Sequence, residues 1–172
     1  MEKGYVHVYT GNGKGKTTAM LGLALRAYGA GLRVYIGQFV KSMEYHEVTA
    51  INKFLPGIAI EQYGCGCILE REASEEDKAA AEKGIKKASA AIFSGKYDVV
   101  MLDEINVAAH LKLISVSSVL ELVRAKPANI ELIITGRYAA AEIIEAADLV
   151  SEMTEVKHYY TNGVFARDGI ER

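Results

Sequence analysis

Only two cysteines occur among the 172 residues, Cys65 and Cys67, and they stand one residue apart. They are too few and too close in sequence to frame a disulfide-built secreted domain, so a reducing compartment is expected. An excess of charge of one sign is also missing, since 20 Lys and Arg face 22 Asp and Glu for a formal charge of -2. That balance excludes the broad basic surface by which a protein binds nucleic acid or an anionic membrane generically, and leaves room for a local basic pocket. Long hydrophobic runs are lacking too. The apolar stretch after Met20 is broken by Arg26, and the opening MEKGYVHVYT has neither a basic leader nor a hydrophobic signal core, so a cytoplasmic protein without a membrane segment is expected. His7, His46, His110 and His158 form no HxxxH or HExxH pair, and no serine sits in GxSxG. Zinc hydrolases and hydrolytic triads therefore gain no support. The two thiols do not complete a tetrahedral metal site, and they are expected to pack as small apolar groups.

Half of the residues are hydrophobic and 24% are charged, a balance that predicts one compact domain over residues 1–172. No linker, internal repeat or low-complexity tract interrupts it. Tyr5 to Tyr9 alternates as a strand, the glycine-rich TGNGKGKTT follows, and Thr17 to Tyr28 reads as a helix stopped by Gly29 and Gly31. A second strand is expected over Arg33 to Phe39, a short helix over His46 to Phe54, and a third strand over Ile58 to Tyr63. Ser74 with Asp77 three residues on predicts the N-terminus of an alanine-rich helix reaching Phe93. The nearly unbroken apolar run Asp98 to Asp103 predicts a central parallel strand. Helices are expected over Val107 to Leu113, Val116 to Lys126 and Ala139 to Ala147, a buried strand over Ile130 to Thr135, and a last core strand over Asp148 to Met153. The tail from Glu155, with TNG at Thr161 to Gly163, is either a hairpin or a loop. This alternation predicts an α/β fold: a mostly parallel, doubly wound sheet between two layers of helices, with ligands bound beyond the carboxyl ends of the strands.

Three motifs fall on that edge. In Gly11 to Thr18 (GNGKGKTT), glycines let consecutive amides turn around phosphate oxygens, the following helix aims its positive end at them, and Lys16 adds a charge. Thr17 can ligate magnesium. The usual GxxxxGK[ST] pattern departs at its first glycine, which here is Thr10. Asp103 and Glu104 close the central strand, where acids can reach a metal held by Thr17 and phosphates; the other reading is an acid cluster at a helix start. Arg137, after Thr135 and Gly136, is either a phosphate contact or a surface residue. Lys41 and Glu47 lie near the same rim and are either substrate contacts or ordinary loop charges, and are read as loop charges.

Taken in order, TGNGKGKTTA, ALRAYGAGLRV, QFVK, VVMLDE, IITGR, ADLVSEM, VKH and the closing GI resemble the cob(I)alamin, or ATP:corrinoid, adenosyltransferases of the P-loop type, from about Gly4 to Ile170. The departure at Thr10 is in character for that family, which has a RecA-like P-loop fold. The resemblance implies transfer of the 5'-deoxyadenosyl group of ATP onto the Co(I) of a reduced corrinoid, with release of triphosphate. It implies Lys16, Glu104 and Arg137 as catalytic residues and Gly11, Asn12, Gly13, Lys14, Gly15, Lys16, Thr17 and Thr18 as the ATP loop. Thr17 and Glu104 match the family's magnesium contacts, with Asp103 completing the acidic pair. It further implies a homodimer and a flavoprotein electron donor. Where family members carry GxGFxW, whose aromatics displace the lower axial ligand, this chain reads GCGCIL, placing Cys67 and Leu69 on the corrinoid side. The N-terminal extension of longer members has almost no counterpart before Tyr5. Two other readings stand beside the transferase: a RecA-like ATPase or nucleotide kinase with Glu104 orienting water, and a non-catalytic ATP or corrinoid sensor.

Overall fold

The structure is a computed structural model, which describes residues 2–43, 45–65 and 71–171. Its strands are β1 (Val6–Thr10), β2 (Val34–Phe39), β3 (Ile58–Tyr63), β4 (Val99–Asp103), β5 (Glu131–Thr135) and β6 (Leu149–Glu152). Its helices are α1 (Lys16–Gly29), α2 (His46–Phe54), α3 (Glu75–Phe93), α4 (Ile105–His110), α5 (Val116–Ala125) and α6 (Ala141–Ala146), followed by a 3-10 turn over Tyr159–Asn162. The strands form one sheet in the order β3-β2-β4-β5-β1-β6, and every paired neighbour is parallel. This is the expected α/β three-layer fold. β5 lies between the strand that feeds the glycine loop and the strand that ends in acids.

Because strand side chains alternate faces, the apolar run of β4 supplies both layers of the core. Val99 and Met101 join Met20, Ala24 and Ala27 of α1 and Ile51 of α2. Val100 and Leu102 join residues of α3, α4, α5 and α6 on the other face. Met101 and Leu102 are fully buried, and each such burial contributes roughly 1.5–3 kcal/mol. At the opposite sheet edge from the motifs, Asp98 ties β4 to β2. Its carboxylate accepts from the Arg33 backbone N–H (2.9 Å) and from the guanidinium (2.9 and 2.8 Å), which holds its pKa down at about 2.

Local signals read from the sequence reappear in the structure as hydrogen bonds. The Ser74 side chain accepts from the Asp77 backbone N–H while Asp77 reaches back to the Ser74 N–H, a reciprocal cap that starts α3. Tertiary context changes two expectations and decides a third. The helix expected over Val107 to Leu113 starts earlier and stops at His110. Lys112 takes a left-handed conformation (φ 56°), and the N–H groups of Lys112 and Leu113 return to the Ala109 and Ala108 carbonyls, a Schellman stop without glycine. The last strand is not a core strand. β6 is the sheet edge, paired among the described residues only with β1, and all four of its residues are exposed. Of the two readings of the tail the loop holds among the described residues: it turns at Tyr159–Asn162 with Gly163 left-handed (φ 80°) and returns over the glycine loop.

Candidate functional site

The loop after β1 is shaped by its neighbours as much as by its own glycines. Gly13 donates its N–H to the Met153 carbonyl at 2.6 Å, and a Cβ there would lie 2.8 Å from that same oxygen, inside any permitted contact. Gly15, at φ 120°, is the N-cap of α1 and offers no side chain to its first turn, so the open amide groups and the positive end of a 14-residue helix face outward. Thr10, where a glycine was expected by pattern, uses its hydroxyl to accept the Ala139 N–H at 3.4 Å. That contact links the loop's base to the chain following β5.

Lys16 is buried and folds back to donate to the Gly11 and Gly13 carbonyls at 2.7 and 2.8 Å. Burial lowers its pKa, the carboxylates of Glu104 and Asp103 oppose that, and Arg137 adds to it. Lys14 instead points across the loop to the tail.

Asp103 is the hub of the site. It has no exposed surface, and four side chains donate to it. Oδ1 accepts the hydroxyls of Thr17 (2.9 Å) and Thr135 (2.7 Å), and Oδ2 accepts the Lys41 ammonium (2.7 Å) and the Gln38 amide (3.3 Å). Gln38 also donates to Glu47 at 3.2 Å and accepts from Gln62 at 3.1 Å. The expectation that Lys41 and Glu47 are ordinary loop charges is therefore corrected: Lys41 is mostly buried, paired with Asp103, lies 3.6 Å from Glu47 and sits over the Tyr45 ring. Burial alone would lower the Lys41 pKa, but the Asp103 charge and hydrogen bond outweigh it and the net shift is upward.

Glu104 is half-buried beside this hub and takes a left-handed backbone (φ 57°), its N–H held by the Thr135 hydroxyl at 3.0 Å. Burial, then the adjacent Asp103, raises its pKa, against the pull of Lys41, Lys16 and Arg137. Left-handed non-glycine residues recur at this rim, with Val40 after β2 and Tyr138 after β5, both at φ 62°. Such conformations cost of order 1–3 kcal/mol each and mark functional edges. Arg137 is exposed on the turn between Gly136 and Tyr138. The turn is fixed by the Asn106 amide on the Gly136 carbonyl (3.4 Å) and by the Tyr138 ring stacked on His110 at 4.1 Å.

These groups line one cavity of about 560 Å³, which includes Lys16, Thr17, Lys41, Glu47, Glu104 and Arg137, closed on one side by His158 and Gly169 to Glu171 of the tail. The loop, the acid strand end and the arginine turn thus converge as expected. Gln38, Thr135 and the tail went unassigned in the sequence reading; QFVK and IITGR were visible there as motifs, but their joint partner, Asp103, lies far away in the chain. Cys65 is exposed beyond the end of β3, with its thiol toward the Glu76 carbonyl at 3.6 Å, so it does not pack as an apolar group. Cys67 and Leu69 lie outside the described residues.

Among the described residues no group of three or more His, Cys, Asp or Glu side chains is arranged to hold a metal. A protein cage is not what magnesium needs when phosphates supply ligands. Thr17 donates its single proton to Asp103 and keeps oxygen lone pairs on the cavity side, and Glu104 makes no hydrogen bond through its carboxylate among the described residues. The two fit a magnesium ion that shares phosphate oxygens and water.

The parallel sheet and the cavity at its edge define a three-layer α/β domain consistent with the P-loop NTPase-like class. Residues 2–172 match the family model described as ATP:corrinoid adenosyltransferase BtuR/CobO/CobP. The chain is 34% identical over 171 residues to the corrinoid adenosyltransferase of Pseudomonas aeruginosa, covering 99% of this chain and 84% of that protein. It is 36% identical over 173 residues to the one from Sinorhizobium, covering 99% and 81%, and 34% identical over 171 residues to the one from Escherichia coli K12, covering 99% and 86%. The chain belongs to the ATP:corrinoid adenosyltransferase family, a family of enzymes whose substrates are ATP and a corrinoid. No helix among the described residues is long and apolar enough to cross a membrane.

Proposed function

We propose that this enzyme transfers the 5'-deoxyadenosyl group of ATP to the Co(I) centre of a corrinoid and releases inorganic triphosphate. The observation that carries the reading is the meeting, in one cavity, of an uncapped helix N-terminus, Lys16, Arg137 and the oxygen donors Thr17 and Glu104. In the reaction the electron pair of Co(I) forms the bond to the ribose 5' carbon. The bond from that carbon to the α-phosphate oxygen breaks, and its electron pair leaves with the triphosphate. The protein's task is therefore to orient ATP and to stabilise charge on the leaving group, with no side-chain nucleophile or general base.

The loop amides and Lys16 serve that task, with phosphate oxygens taking over the ammonium now held by Gly11 and Gly13. Arg137, free of hydrogen bonds to described residues on its turn, adds a planar cation. Thr17 and Glu104 would hold magnesium, which supplies further charge neutralisation on the phosphates. Asp103 acts through others: both its oxygens are occupied, so it positions the Thr17 hydroxyl and the Lys41 ammonium rather than ligating metal. The same reading takes residues 1–172 as one nucleotide-binding domain working as a homodimer in the cytoplasm, with a flavoprotein supplying the electron.

An anaerobic reaction with ATP, magnesium and chemically reduced cob(I)alamin tests the proposal. Adenosylcobalamin formed with one equivalent of triphosphate is the expected result. ADP and phosphate with unchanged corrinoid would make the protein an ATPase, and binding of both substrates without turnover would make it a sensor.

A further inference from the structure

The segment after β6 does more than border the cavity. It occupies the loop lysine that faces outward. An ammonium has three N–H donors and no acceptor, and the three of Lys14 are met by the Glu171 carboxylate (2.7 Å), the Ile170 carbonyl (3.1 Å) and the Tyr159 hydroxyl (3.3 Å). Glu171 does not depend on Lys14 for its placement. Its carboxylate also accepts the Arg167 backbone N–H at 2.8 Å, the Arg167 guanidinium at 3.3 Å and the Tyr159 hydroxyl. A second clip, Asp168 to His46 at 3.2 Å, fastens the same turn to the start of α2. The result is a preorganised anion, Glu171, seated on a phosphate-loop cation at the wall of the cavity that also contains Lys16 and Thr17.

We propose that Glu171 is an affinity-setting residue: an intramolecular competitor that holds Lys14 in the empty enzyme and must be displaced by the triphosphate chain of the nucleotide. This rests on the reading of Gly11 to Thr18 as a triphosphate site. When a polyanion enters, its oxygens and the Glu171 carboxylate face one ammonium, and the two anions repel. The carboxylate thereby weakens binding of the triphosphate group whether it arrives as part of ATP or remains as the inorganic product, and it favours the product's departure.

The full-length chain is titrated calorimetrically with inorganic tripolyphosphate in magnesium buffer, which isolates the phosphate group from the nucleoside. Glu171→Gln keeps the shape and one acceptor oxygen while removing the charge, and Glu171→Ala removes both. Both variants are expected to bind tripolyphosphate about three- to fivefold more tightly than the natural chain, as fits an ion pair that is partly exposed, with the gain shrinking as salt is raised. In a Lys14→Gln background the same Glu171→Gln change is expected to shift affinity less than twofold, because the contested cation is gone. Unchanged or weaker binding by Glu171→Gln overturns the proposal and makes the tail a support that holds Lys14 in place. A gain that persists undiminished without Lys14 overturns it as well. If no form of the chain binds tripolyphosphate, the phosphate-loop reading itself fails and the proposal falls with it; equal binding by all forms removes the proposal alone.

Discussion

The Lys41–Asp103 pair gives a quantitative test of how the site is held together. The charges stand 2.7 Å apart, so at an effective dielectric constant of about 20 their attraction is about 6 kcal/mol. Asp103 has no exposed surface and the Lys41 side chain is 14% exposed, so removing these ions from water costs several kcal/mol each and offsets most of that attraction. The pair is therefore of small net value, while each half without the other is expensive. Lys41→Met leaves a buried carboxylate with three neutral donors, and Asp103→Asn leaves a buried ammonium and turns an amide N–H toward groups that themselves donate. Each single variant is expected to lose about 3–5 kcal/mol of folding stability. The double variant should lose at least 2 kcal/mol less than the two singles together. Urea unfolding at pH 7 reads this directly from the midpoint and slope. Additive losses, with a coupling energy under about 0.5 kcal/mol, would refute the reasoning, since two charges in contact inside a protein cannot be lost independently.

Gly13→Ala should place a methyl against the Met153 carbonyl, cost about 1–3 kcal/mol and weaken ATP binding measured by calorimetry; a variant with unchanged affinity would show that the loop does not need this close approach. Glu104→Gln is expected to reduce adenosyl transfer about 10²-fold and to raise the magnesium concentration needed for half-maximal rate; an unaltered magnesium dependence would remove Glu104 from the metal. Asp98, whose pKa falls to about 2 beside Arg33, stabilises the fold fully above its unfolded value of about 3.9, and that contribution is lost as pH falls through about 2. Asp98→Asn should lack this acid-dependent loss when urea midpoints are compared between pH 6 and pH 2, and parallel loss in both proteins would contradict the assignment.

Most of the fold was legible because its signals are local. The bounds of α2 and β3 were read to the residue from Pro56, Gly57 and the change of apolar period, and the Ser74–Asp77 cap is a contact between residues three apart. The glycine loop between β1 and α1 was equally plain, since its pattern stands in eight consecutive positions. The end of α4 was not, because a left-handed lysine can close a helix as glycine does and nothing in the type of Lys112 announces it. β6 was misjudged for a related reason: its apolar residues resemble those of a core strand, and its exposure goes with its place at the edge of the sheet.

Sequence by itself determined the order of strands and helices, the placement of Lys16 and Thr17 at a helix start, and the acids at a strand end, because hydrogen bonding along the chain and apolar period act over a few residues. Tertiary structure alone decided what those side chains do. Asp103 became a hub because parallel pairing brought Gln38, Lys41 and Thr135 to one strand end, and Lys14 met Glu171 because the tail crosses back over the loop. The partners in each case are dozens of residues or more apart in the chain, a separation over which no local preference of the backbone carries information.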